Sequence, residues 1–134
     1  MNALIRALRP LVVAGAVLGV TACGGKLVER TRVTSPDGIV QAVIVERESD
    51  ATVPTPMELY LVRTNHSLSG EPVVLGDRFE NLQVTWREPR FLELRYEKAR
   101  IFRFTNFWQS SDVDQLRYVV EIRLKPKTDS FALP

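Results

Sequence analysis

From Leu27 onward, apolar side chains recur at every second position rather than every third or fourth. The segment LRYVVEIRL, residues 116–124, is the cleanest case, with Leu116, Tyr118, Val120, Ile122 and Leu124 on one face. Successive side chains of a strand point to opposite faces, so this pattern gives a sheet one buried face, whereas a helix would scatter it around its axis. IVQAVIVER (39–47) is apolar on both faces and reads as a buried central strand. Shorter runs follow the same period: LVERTRVT (27–34, with Leu27, Thr31 and Val33 on a shared face), MELYLVRT (57–64), EPVVLG (71–76), LQVTW (82–86), FLELRY (91–96) and RIFRFTNF (100–107). No segment carries a helical period of useful length. The expectation is an all-β domain, a small antiparallel β-sandwich or curled sheet of about seven or eight strands.

The 134-residue length suits one small domain. The formal charge of +2 comes from the start of the chain, where Arg6 and Arg9 stand with no acid. Without them 16 basic residues face 16 acidic ones, so the body is neutral. A nucleic-acid binder carries a basic stripe or a strongly basic domain, and neither is legible here.

The first 23 residues, MNALIRALRPLVVAGAVLGVTAC, have three parts: a basic start, an apolar core from Leu11 to Val20, and small residues before Cys23. That order is a secretory signal. Ten helical residues rise only ~15 Å, about half of a bilayer core, so the run is too short to span. Val20-Thr21-Ala22-Cys23 resembles the bacterial lipobox, with valine where that family usually has leucine. The resemblance implies diacylation of the Cys23 thiol, cleavage between Ala22 and Cys23, and acylation of the new amino terminus. A thiolate is the nucleophile such acylation needs, and two or three chains give the stable anchoring that one chain does not. The partner implied is membrane lipid, and the location is the bacterial cell envelope. Gly24, where the family's inner-membrane proteins carry aspartate, favours the outer membrane facing the periplasm. Cys23 is the only cysteine, so the mature domain has no disulfide. The organisation expected is a signal peptide over 1–22, a lipidated tether over 23–26, a β-rich domain over 27–125 and a tail over 126–134.

SPDG, residues 35–38, separates the first two strands. Pro36 presets φ, Asp37 caps its own turn, and Gly38 takes the positive φ of a bulged hairpin. TSPDGIVQAVIVER looks like a blade segment of TolB-type propeller repeats. It is more similar to the start of small bacterial lipoproteins of unknown function that share an SPDG hairpin after the lipobox. A whole propeller is excluded on length.

Catalytic patterns are sparse. His66, the only histidine, lies in TNHSLSG with Ser67 beside it and Asp77 further on, but no G-x-S-x-G elbow accompanies them. One histidine and one lipidated cysteine do not make a zinc site. Asp112 and Asp114 lack the spacing and the glycine of a calcium loop. No metal, cofactor or nucleic acid is expected, and the chain reads as a non-enzyme. The most suggestive stretch is WREPRFLELRYEKARIFRFTNFW (86–108), where cations alternate with aromatics. Read as a hairpin closed at 97–99, it offers Arg95, Arg100, Arg103, Phe107 and Trp108 as a candidate surface for another envelope protein or an anionic envelope ligand. The alternative is a solvated sheet face with Arg–Glu pairs over an aromatic core. Three activities fit: a non-enzymatic binding or assembly component, an inhibitor or immunity-type protein that blocks an envelope enzyme with one rigid loop, or an enzyme on wall or lipid substrates.

Overall fold

A computed structural model describes residues 26–48 and 52–127. They form nine strands: β1 (Leu27–Thr34), β2 (Val40–Arg47), β3 (Met57–Arg63), β4 (Val74–Glu80), β5 (Gln83–Glu88), β6 (Phe91–Tyr96), β7 (Lys98–Phe104), β8 (Phe107–Trp108) and β9 (Val120–Pro126). One sheet has the order β1-β2-β3-β4-β7 and the other β5-β6-β9-β8. The protein is all-β, two sheets packed face to face, and the only helical element among the described residues is a 3-10 turn at Asp114–Leu116.

The core lies between the sheets. Val40, Ala42 and Ile44 of β2 and Leu59 and Leu61 of β3 meet Leu92 and Leu94 of β6 and Val120 and Ile122 of β9. Each such side chain taken out of water contributes ~1.5–3 kcal/mol. β2 is interior to its sheet and buried from Val40 to Val45 because its other face is covered too, where Val43, Val45 and Val62 cluster under Tyr60 and Leu68. Trp86 ties the sheet edges together, its indole N–H donating to the Val33 carbonyl at 2.9 Å.

Several local expectations are corrected. All pairs but one are antiparallel; β6 and β9 run parallel, from Phe91 opposite Glu121 to Tyr96 opposite Pro126. The chain leaves β6 through Glu97 into the other sheet, climbs back along β7, and so enters β9 from the end where β6 began. Residues 97–99 therefore close no hairpin: β6 pairs with β5 and β9, and β7 pairs with β4. A bulge between Glu29 and Thr31 puts Leu27 opposite Arg47 and Thr31 opposite Ile44, so Leu27 and Thr31 point to opposite faces. Leu116 falls in the 3-10 turn and is exposed, and the strand starts only at Val120.

The sandwich has two distinct ends. β1 begins, β9 finishes, and the chain crosses twice between sheets (through Asn81 and Leu82, and through Glu97) at one end, here the entry end. The 35–39, 64–73, 89–90 and 109–119 connections gather at the opposite, distal end.

Candidate functional site

The SPDG turn forms as the sequence dictates and does more than turn. The Gly38 N–H donates to the Ser35 carbonyl at 2.9 Å, and Gly38 has φ +76°. Asp37 accepts from the Ser35 hydroxyl at 2.6 Å and from the Ile39 N–H at 3.2 Å. Its second carboxylate oxygen accepts from the buried Tyr118 hydroxyl, which also faces the Pro89 carbonyl at 3.1 Å. The Arg90 guanidinium stacks 4.4 Å over the Tyr118 ring. Burial pushes Asp37 up, but these hydrogen bonds outweigh it and hold the carboxyl below the usual range. Burial, with Asp37 beside it, pushes Tyr118 up to about 12. This latch joins the first sheet to the turn between β5 and β6. No sequence spacing announces it, because the partners come from opposite ends of the chain.

The five candidate surface residues separate. Arg95 lies on the outer face of the β5-β6-β9-β8 sheet, its Nε 2.5 Å from the buried Glu93 carboxylate. That contact, against the effect of burial, holds Glu93 below the usual carboxylate range. Arg100 grips the buried Asp77 across the β4–β7 pair with two hydrogen bonds of 2.8 and 2.6 Å. The guanidinium lowers Asp77 in turn. Arg103 pairs with Glu71. Only Arg103, Phe107 and Trp108 come together: with Glu71, Pro72, Val73, Thr105 and Gln109 they line an open groove of about 440 Å³. Trp108 is half-buried against the core, and Phe107 is 50% exposed.

Three aromatics at this side of the sandwich are exposed: Phe102 and Phe104 of the edge strand β7, 56% and 39%, and Phe107 of β8. The bulge at Phe102 turns it from the face that Phe104 shares with Ile101. Register shifts break β7 against β4 between Leu75 and Gly76 and between Asp77 and Glu80. Such bulges, with Lys98, Arg100 and Arg103 on the strand, discourage edge-to-edge pairing. The margin therefore presents side chains rather than a bare backbone ladder.

The 109–119 connection holds a feature the sequence did not reveal. Asp114, Gln115 and Leu116 have φ of 46°, 49° and 70°, three successive left-handed residues. The left-handed region costs ~1–2 kcal/mol for each residue bearing a Cβ. The loop is held by its ends: Val113 and Tyr118 are core residues, and the Leu116 N–H donates to the Ser110 carbonyl at 3.1 Å. Leu116 is displayed at the tip, 48% exposed.

The other candidates do not assemble. His66 is exposed in the distal 64–73 connection, while Asp77 is committed to Arg100 near the entry end. Asp114 pairs with Arg117 at 3.2 Å. Among the described residues, no three His, Cys, Asp or Glu side chains converge on one point. Ala22 and Cys23 lie outside the described residues.

These features define a two-sheet β-sandwich with an aromatic margin and a strained distal loop. Compared with known proteins, the chain matches no family model, no curated protein and no solved structure.

Proposed function

We propose that this is a lipid-anchored cell-envelope protein that acts by binding, as an assembly or recognition component. Cys23 carries the acyl chains, and the sandwich stands on the periplasmic side, on the outer membrane where Gly24 permits transfer. The observation that carries the binding role is the open groove of about 440 Å³ flanked by Phe107 and Trp108 and edged by the Arg103–Glu71 pair. Aromatic rings and an arginine offer contact area and directed charge, the chemistry of interface anchors. Intact mass of the membrane-extracted protein tests the anchor: residues 23–134 plus acyl chains are expected, and a Cys23→Ala variant stays unprocessed or is released. An unlipidated mass sinks it. Cross-linking in intact envelopes tests the binding role. A partner held by the native protein is lost from a Phe102→Ser, Phe107→Ser double variant that keeps native stability.

A second reading rests on the left-handed turn. Asp114–Leu116 is an exposed turn that spends backbone strain on displaying Leu116. That suits an inhibitor or immunity-type protein that plugs an enzyme cleft. Inhibition of an envelope hydrolase by the native protein, abolished by Leu116→Asp, separates it from the assembly role.

A further inference from the structure

The chain contains four lysines, Lys26, Lys98, Lys125 and Lys127, and the fold brings all of them to the entry end. Lys26 precedes β1, Lys98 opens β7, and Lys125 and Lys127 close β9. They are spread over a hundred residues of sequence, so no local composition explains the gathering. The described arginines are distributed over both ends and both sheets.

Arg78 joins the lysines by a strained route. It sits at the second β4 bulge with φ 55° and is exposed. Among the described residues no close ion pair engages Lys26, Arg78 or Lys98, although Arg78 helps to lower Asp77 and Glu80 stands opposite Lys98 in the β4–β7 register. Lys125 lies 3.8 Å from Glu93 and Lys127 3.7 Å from Glu97, loose contacts on long flexible stems. An open groove of about 460 Å³ lies at the same end, where the Asn81 and Gln83 amides, Arg95, Lys125 and Lys127 stand with Glu97. These donors match the oxygens of a phosphate diester.

The occupant follows from chain length, on the reading that Cys23 is acylated. Cys23 and Leu27 are four residues apart, at most ~14 Å when fully extended. The end of the domain where β1 begins is thereby confined beside the bilayer surface, within one to two screening lengths of ~8 Å at physiological salt. We infer that the lysine-bearing entry end is a membrane-docking face that binds the headgroup phosphates of anionic phospholipids in the leaflet anchoring Cys23. It holds the sandwich upright, with the Leu116 loop and the SPDG latch directed away from the membrane.

Lysine acetylation by an uncharged amine reagent, read by mass spectrometry, tests this on the native lipidated protein. The protein is reconstituted in phosphatidylcholine vesicles and in vesicles with roughly one-third phosphatidylglycerol. The four lysines are expected to react about fivefold more slowly in the anionic vesicles, each being held by the surface potential. Salt at roughly 0.5 M restores the rate by shortening the screening length. Equal rates in both vesicles, with the acyl mass present, overturn the docking face and leave the anchor standing. Slow reaction in both, unmoved by salt, also overturns it, because confinement alone then explains the protection. A protein with no acyl mass overturns the anchor and, with it, this inference.

Discussion

Tyr118 and Asp37, 81 residues apart in sequence, share a hydrogen bond in which the phenol donates to the carboxylate. It is the point at which the turn after β1 is locked to the turn before β6. Tyr118→Phe keeps the packed ring but leaves Asp37 one donor short and the Pro89 carbonyl without its hydroxyl neighbour. Asp37 and Pro89 are exposed and water can reach them, so the loss expected is that of one ordinary hydrogen bond, ~0.5–1.5 kcal/mol. Urea unfolding of the two proteins measures it, and an unchanged midpoint would show the latch to be decorative.

Acid should weaken the fold. Asp37, Asp77 and Glu93 all titrate below their ordinary values in the folded protein. A depressed carboxyl contributes stability that is present above the unfolded value near 4 and disappears as pH falls through the folded one. The urea midpoint is expected to hold between pH 7 and 5 and to drop below about pH 4. Asp77→Asn should start lower and show a shallower drop, since its share of the titration is gone. At the other extreme, Tyr60 and Tyr118 are both pushed up to about 12, so stability is also lost as pH rises from about 10 toward 12.

Two glycines should fail for different reasons. A Cβ on Gly76 would lie 2.5 Å from the Arg100 carbonyl oxygen and 3.2 Å from the Ile101 Cα, both backbone. Gly76→Ala must push β4 and β7 apart, at a cost of ~1–3 kcal/mol or more. Gly38 has open space around it and φ +76°, so Gly38→Ala costs ~1 kcal/mol in backbone strain alone. Thermal melts of the pair should rank Gly76→Ala the more damaging; the reverse order would mean that β7 yields easily.

Leu116→Gly should stabilise the protein by up to ~1 kcal/mol, because glycine takes φ near 70° without the Cβ clash. Few exposed sites gain from losing a leucine. A destabilised variant would mean that the leucine packs for stability and is not held out at a cost. Leu92→Ala, by contrast, empties a fully buried site between the sheets and should cost ~2–5 kcal/mol.

Period and turn chemistry were enough to determine the class of fold. The two-faced run of β2, the alternation from Tyr118 through Leu124, and the positive-φ demand at Gly38 are local facts, and local sterics enforce them. What alternation cannot encode is the partner of a strand, because every amphipathic strand offers the same ladder of donors and acceptors. Tertiary structure alone decided that β6 lies parallel to β9, that Glu97 is a crossing and not a hairpin turn, and that the bulge at Glu29–Thr31 turns Leu27 away from Thr31's face. The same decision parted Arg95 from Arg100 and Arg103, neighbours in sequence, onto different sheets, and set all three in separate ion pairs. It also gathered Lys26, Lys98, Lys125 and Lys127 at one end, since the burial of apolar side chains between two sheets fixes where every strand begins and ends, and charged residues are carried there with the strand ends they occupy.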